Sequence, residues 1–221
     1  MITLHHLNNS RSQRILWLLE ELEIPYRIQP YQRDRKTQLA PPELKQVHPL
    51  GKSPVITDGE ITVAESGAII EYLVWNYARD RLLPEPGSAD HRLYTYWMHF
   101  AEGSLMPPLV MKLVFDKVRS APVPFFLKPV TQGIADKVMS SFVGPNIRNN
   151  MDFIERHLAS QAWFAGAQMT GADFQMSFPL EAAMAGRVNG QYPHIAAWVK
   201  KVHARPAYQR ALQAGGPYDY A

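Results

Sequence analysis

No cysteine occurs among the 221 residues, and that absence excludes more chemistry than any other feature of the composition. Thiol–disulfide exchange, cysteine nucleophiles and thiolate metal centres all require that side chain. Any thiol used by this protein therefore arrives with a ligand. Charge of one sign is scarcely in excess either: 23 Lys plus Arg stand against 20 Asp plus Glu, and the signs interleave, as in Arg33-Asp34-Arg35-Lys36. The sequence pI near 9.1 overstates the basicity. A nucleic-acid surface needs clustered positive charge on a recognisable module, and Lys200, Lys201 and Arg205 read instead as a solvated helix face. No apolar run approaches the roughly 18 residues of a membrane span, and Met1-Ile2-Thr3-Leu4 lacks the basic start and apolar stretch of a secretory leader. The expectation is a cytoplasmic protein with neither nucleic acid nor membrane as partner. Phosphate-binding and dinucleotide glycine fingerprints are missing, and so are a His-Glu-x-x-His pair and the first glycine of a nucleophile elbow at Ala64-Glu65-Ser66-Gly67-Ala68. His5 and His6 point to opposite faces of a strand and cannot share a metal ion, so no metal is expected.

What is present suffices for a sizeable core: 46% of the residues are hydrophobic, enough for one large domain or two small ones. The first eighty residues alternate between two periods. Ile2 to Leu7 is strand-like, Asn8, Asn9, Ser10 and Ser12 supply capping chemistry, and Ile15, Leu18, Leu19 and Leu22 have helical spacing. Pro25 ends that helix, and Tyr26 to Tyr31 reads as a second strand. A polar stretch through Pro41-Pro42 leads to a hairpin and a further helix. The order is βαβ followed by ββα, which argues for a parallel pair with an antiparallel edge.

At Leu82-Leu83-Pro84-Glu85-Pro86-Gly87 the strand-like alternation stops, giving an expected division into domain 1–81, linker 82–87 and an all-helical domain 88–221. In the second part, Leu93, Trp97, Phe100 and Ser104 are spaced for one helical face. Pro122, Pro124 and Pro129 are expected breaks, a long helix is expected from Thr131 to Leu158, Pro179 is expected to kink a helix, and Pro193 and Pro206 to begin the last two. Thr170 and Asp173 have capping-box spacing, with Asp in place of the usual Glu, and read as structural.

The richest segment lies between Gly51 and Ser66. Pro54 interrupts a strand-like run and cannot donate to a ladder, so it belongs at an edge, and the Ser53–Pro54 bond is a candidate cis peptide. Such a kink leaves the backbone of Ser53 free for an extended guest peptide. Asp58-Gly59 signals a hairpin turn. Glu65-Ser66 then open a helix whose first N–H groups suit a carboxylate, while Glu65 suits an ammonium. A zwitterionic amino-acid end fits both.

This arrangement resembles the glutathione transferase family, in its serine-dependent, bacterial or fungal-like branch. The resemblance runs through most of the chain, including the spacing from Pro54 to Glu65-Ser66. It implies a thioredoxin-like α/β domain followed by an all-α domain, and glutathione as cosubstrate with no permanently bound cofactor. By the same resemblance, Ser53 before a cis Pro54 bonds the cysteinyl backbone, Glu65 and Ser66 hold the γ-glutamyl end, and Lys52 contacts the glycyl or cysteinyl portion. His48 lies near that end. Lacking cysteine, the chain falls outside the branches that work through a mixed disulfide.

A glutathione thiol has a pKa of about 8.5, so a catalyst must favour its anion, and one hydroxyl donating to the sulfur does so. Ser10 is the best placed donor, and its position ahead of Arg14 in the first helix matches the serine-dependent members. Ser12, Asn8 and Asn9 compete with it, and Arg11 is a nearby cation. The implied reaction joins the thiolate to a small hydrophobic electrophile, held by Met106, Leu109, Leu113 and Phe115 among the candidates, in a homodimer. Rival readings are a non-catalytic glutathione-binding scaffold and a glutathione-dependent peroxidase or isomerase. The Ser-Ser-Cys loop of the zeta-like isomerases is absent.

Overall fold

The computed structural model describes residues 1–188 and 190–221. The chain begins β1 (Ile2–Leu7), α1 (Ser12–Leu22), β2 (Tyr26–Tyr31), α2 (Leu44–Val47), β3 (Val55–Asp58), β4 (Ile61–Ala64), α3 (Ser66–Tyr77) and α4 (Arg79–Leu82). One mixed sheet results, in the order β2-β1-β3-β4. β1 pairs parallel with β2, Ile2 opposite Tyr26, and antiparallel with β3, Leu4 opposite Ile56. Pro30 is tolerated in β2 because β2 is an outer strand with no further neighbour.

The hairpin is one residue out of the expected phase. Asp58 still pairs with Ile61, and the two-residue loop is Gly59–Glu60, with Gly59 at φ +60, a value that glycine adopts without steric cost. Asp58 is held instead as a strand end: its carboxylate accepts from the N-terminal ammonium at 3.3 Å and from the Tyr72 and Tyr77 hydroxyls. The short helix α2 lies just after Pro41-Pro42, where no element was expected. Leu44 is its single buried residue, so it has no apolar periodicity to display.

The helical part comprises α5 (Ala89–Phe100), α6 (Met106–Arg119), α7 (Lys128–Val138), α8 (Gly144–Ser160), α9 (Gly171–Ala182), α10 (Pro193–His203) and α11 (Pro206–Gly215). Ser88 caps α5, its hydroxyl accepting from the His91 N–H at 3.0 Å. Between α5 and α6 the chain does not break: residues Ala101–Leu105 form a π-helical turn. That turn corrects the expected face. Its i→i+5 bonding inserts a residue, so after Phe100 and Ala101 the next buried position is Leu105, fully buried, while Ser104 is exposed.

A second π turn, Met139–Val143, joins α7 to α8 into one run from Lys128 to Ser160, longer at both ends than expected. Pro129 begins that run rather than breaking it, since a first-turn proline forfeits no helical hydrogen bond. Pro179 likewise stays within α9, and the chain leaves helical geometry later, at Ala185 and Gly186 (φ +89).

Two helices form the centre. Every residue of α9 is buried, and α1 buries Ser12 to Leu19 and Leu22 against β1, α3, α9 and α11. Trp17 packs its ring, tilted, against Phe174 with centroids 4.2 Å apart and donates its indole N–H to Glu21 at 3.0 Å. Glu21 in turn accepts from Arg205 at the start of α11. Full burial of a side chain of this size stabilises by about 3 kcal/mol or more, so Trp17 helps fix the orientation of the sheet on the helical part. Among the described residues no helix is long and apolar enough to cross a membrane.

Candidate functional site

Three backbone features converge beside the C-terminal end of β1. The first is the loop from Asn8 to Arg11. Asn9 takes φ +48, a left-handed conformation that asparagine tolerates. The second is the approach to β3, where the Ser53–Pro54 bond is cis. The Ser53 hydroxyl donates to the His5 carbonyl at 2.8 Å, tying the rim to β1, while its backbone N–H and C=O have no backbone partner among the described residues. The third is the start of α3. Glu65 sits there at φ +71, ψ 124, its side chain making no cap, so the first N–H groups of the helix stay open as a helix start leaves them.

These features enclose a small cleft of about 70 Å³, lined by Arg11, His48, Lys52, Ser53, Glu65 and Ser66 among others. The residues singled out in the segment 48–66 thus share one cleft. Glu65 is exposed and, among the described residues, has no cation within 4.0 Å. Ser66 is buried and accepts from Arg14 at 2.8 Å.

Arg14 is the organising residue. Its side chain is fully buried, yet it is a cation bonded to Ser66 and, at 2.5 Å, to Glu102 in the π turn after α5. Burial presses its pKa down and Glu102 opposes that. A buried charge survives only with such partners, so Arg14 links α1, the start of α3 and the π turn into one frame. Glu102 also pairs with Arg11 at 3.1 Å.

Next to the cleft, and sharing Arg11 and Ser53 with it, opens a cavity of about 520 Å³. Ser10, Asn8 and Asn9 line it and Ser12 does not. Ser12 is fully buried, its hydroxyl 2.8 Å from Ser10 Oγ, 2.9 Å from His6 Nδ1 and 3.1 Å from the Leu7 carbonyl. Asn9 is occupied as well: its amide donates to Asp219 at 2.7 Å and accepts from the Asp219 N–H at 2.9 Å. Asn8 accepts from the Arg33 N–H. Ser10 lines the cavity, its Oγ accepting from the Ser12 N–H at 3.2 Å.

The cavity's apolar wall corrects the expected one. Met106 and Leu113 line it, together with Val110 and Phe178, whereas Leu109 is buried in the core and Phe115 lies off the lining. Positions 106, 110, 113 and 117 follow one helical stripe, a phase that Leu109 and Phe115 do not share. The remaining wall had no signal in the sequence. Gly216, at φ +78, turns the chain after α11 back across the molecule. Tyr218 then donates to Glu181 at 2.5 Å, Asp219 reaches Asn9, and Tyr220 meets Arg187, whose guanidinium lies 4.6 Å from its ring centroid.

His5 and His6 go to separate partners. His5 bonds the Tyr31 hydroxyl at 3.0 Å and His6 bonds Ser12, and burial depresses the pKa of both.

Thr170 and Asp173, far along the chain, form a closed capping box. Asp173 accepts from the Thr170 N–H at 2.8 Å and from the Phe164 N–H at 3.0 Å. Burial pushes its pKa up to about 6 against those bonds.

Comparisons with known proteins match two family models: "Glutathione S-transferase, N-terminal domain" over residues 1–74 and "Glutathione S-transferase, C-terminal domain" over residues 137–206. Glutathione S-transferase 3 of Schizosaccharomyces pombe is 41% identical over 96% of this chain and 87% of its own length. Glutathione S-transferase 1 of Saccharomyces cerevisiae is 33% identical over 94% and 92%. Among solved structures, a glutathione S-transferase from Actinobacillus pleuropneumoniae superposes with a TM-score of 0.79 at 33% identity, covering 100% of this chain and 95% of its own. The glutathione transferase URE2P6 of Phanerochaete chrysosporium, solved in complex with oxidized glutathione, superposes with a TM-score of 0.73 at 25% identity over 97% and 96%.

Proposed function

The chain belongs to the glutathione S-transferase family, and from that premise we propose that it binds glutathione in the small cleft and joins the thiolate to a hydrophobic electrophile held in the neighbouring cavity. One observation carries the reading: the two openings share Arg11 and Ser53, and Ser10, next to Arg11 in the chain, lines the larger one. Glutathione is a peptide with an amino-acid end, and each of its features has a counterpart in the cleft. The unpaired backbone of Ser53 suits the cysteinyl unit. Glu65 suits the γ-glutamyl ammonium, while the open N–H groups at the start of α3 suit its carboxylate. Lys52 complements the glycyl carboxylate. The co-crystallised relative URE2P6 supports the same ligand class.

With the peptide so placed, its sulfur lies beside Ser10. A free thiol with a pKa of about 8.5 is only a few per cent ionised at neutral pH, and a hydroxyl donating to the anion lowers that pKa. The Ser10 hydrogen has two acceptors to choose from, Ser12 Oγ and the sulfur. A thiolate is charged and draws the stronger bond. Turning the hydrogen toward it orphans nothing, because Ser12 keeps donors and acceptors at His6 and Leu7 and Ser10 still accepts the Ser12 N–H. The thiolate then attacks the electrophile, forming the carbon–sulfur bond as the leaving group departs with its electron pair.

On this reading the segment 1–81 is the glutathione-binding domain, 82–87 the linker, and 88–221 the domain that supplies the apolar wall. The working form is a homodimer in the cytoplasm, where reduced glutathione is abundant. Trp75, exposed at 55% beside a groove it shares with Tyr72 and Tyr94, supports a covered face there.

The test is calorimetric titration with glutathione, followed by conjugation kinetics of the parent and Ser10→Ala. Binding is expected in both, with kcat/KM in the variant reduced about 100-fold, as for other single preorganised donors to a developing anion. Unchanged turnover removes Ser10 from the role. Binding without conjugation of any electrophile supports the scaffold reading, and peroxide turnover in its place supports a peroxidase.

A further inference from the structure

The cavity beside Ser10 has a lining of two kinds. Met106, Val110, Leu113 and Phe178 make up its apolar part, and three cations complete it: Arg33, Arg187 and Lys117, the last continuing the α6 stripe. None of these three has a carboxylate within 4.0 Å among the described residues. The contrast along α6 is direct. Lys112 pairs with Asp116 and Arg119 with Asp136, whereas Lys117, on the cavity side, has no such partner. Asp219, the one acid among the described lining residues, accepts from Asn9.

Two of the cations are also fixed in place. Arg33 is half-buried and donates to the carbonyls of Gln38 at 3.1 Å and Asn9 at 3.3 Å; burial and the like charge of Arg11 both press its pKa down. Arg187 is braced by the hydroxyl and ring of Tyr220. A guanidinium held rigid and short of negative charge is preorganised for an oxyanion. A neutral electrophile makes no use of two such guanidiniums and a lysine beside them, and glutathione does not supply the missing charge, since its carboxylates are assigned to Lys52 and the start of α3.

We infer that the second substrate is an amphipathic anion: an apolar electrophile bearing a carboxylate or a comparable oxyanion, with its body on Met106, Val110, Leu113 and Phe178 and its charge among Arg33, Lys117 and Arg187. This rests on the reading that glutathione fills the neighbouring cleft. In the chosen assay the glutathione sulfur attacks the ring carbon that bears chlorine, the carbon–sulfur bond forms, and chloride leaves with its electron pair.

The matched probes are 4-chloro-3-nitrobenzoate and 4-chloro-3-nitrobenzamide, which differ in charge at one substituent. For each, kcat/KM is divided by the uncatalysed rate constant with glutathione, which removes intrinsic reactivity, and binding is also titrated without glutathione. The benzoate is expected to be preferred about 10- to 100-fold, the range for a bond to a charged group. The preference should shrink toward one in the double variant Arg33→Gln/Arg187→Gln, fall partway in Lys117→Gln at an exposed helix position, and weaken in high salt. Equal handling of the two probes, or binding of neither, overturns the inference. Conjugation of the benzamide at least as fast as the benzoate overturns it while leaving the transferase reading intact. Preferential benzoate binding by a protein that does not bind glutathione sustains the anion site and removes the transferase reading beneath it.

Discussion

Two helix starts in this molecule meet the same physical problem in opposite ways. Each presents N–H groups with no partner inside the helix. At α9 the chain closes the problem internally: Thr170 and Asp173 cap one another and reach back to Phe164, all of it buried. At α3 the residue in the cap position, Glu65, makes no cap at all, adopts φ +71, and faces a cleft. Satisfied polar groups hold a fold together, whereas open ones are available to a ligand. The difference separates a structural motif from a binding one without reference to residue type, since both starts carry an acid and a hydroxyl.

Removing the acid at each start breaks the symmetry most sharply at α9. Asp173→Ala leaves two buried N–H groups without an acceptor, at about 1–3 kcal/mol each, so a loss near 4 kcal/mol in unfolding free energy is expected by urea denaturation. Glutathione affinity of the folded fraction should be unmoved.

Acidity probes the same box with a somewhat smaller effect. Asp173 titrates at about 6 in the folded protein against 3.8 as its ordinary value. It therefore binds its proton more tightly folded than unfolded. Its contribution to stability is fully present below about pH 3.8 and is lost as pH rises through about 6. Two units correspond to about 3 kcal/mol. Asp173→Asn cannot titrate, so the stability of the parent minus that of the variant should fall by about that amount between pH 3.5 and 7, other groups cancelling in the difference. A flat difference would mean that the box carries no ionisation cost.

The two starts were equally legible in the sequence. Thr170 and Asp173 lie three apart, and the cleft residues at 48, 52, 53, 65 and 66 fall within one short segment, so local pattern reached both. Strands β1 and β2 were readable to the residue, because alternation and Pro25 bound them. The cavity walls were not, because Arg33, Lys117, Arg187 and Tyr220 meet only after the tail has folded back past Gly216. Ser104 was misplaced for a different reason: a π turn shifts the helical phase, and a period of 3.6 cannot foresee it. Leu109 and Phe115 lie within the regular helix α6 but off the stripe of 106, 110, 113 and 117 that faces the cavity. Among Ser10, Ser12, Asn8 and Asn9, sequence alone ranked candidates that only their partners distinguish, with Ser12 turned to His6 and Asn9 to Asp219.

At α3, the smaller effects are the informative ones. Glu65→Gln removes charge from an exposed side chain with no intramolecular partner, so stability should stay within about 0.5 kcal/mol of the parent. Glutathione affinity should weaken about 10- to 100-fold, corresponding to the loss of a charge-assisted contact. Calorimetry reads the affinity and urea denaturation the stability. A stability loss as large as that of Asp173→Ala would show the two starts to be the same kind of structure after all.

Glu65→Gly is expected to change stability in the opposite sense. A non-glycine residue at φ +71 stores about 1–3 kcal/mol of backbone strain, which glycine releases. Against that, glycine adds roughly 1 kcal/mol of unfolded-state entropy to be lost on folding. The net expectation is a gain of about 1 kcal/mol in stability together with the same loss of glutathione affinity as in Glu65→Gln. Strain that is removed only at the expense of binding belongs to the site, because nothing in the fold itself requires it. If the glycine variant is less stable than the glutamine one, the left-handed geometry is supported by the surrounding packing, and α3 is closed by its environment much as α9 is closed by its box.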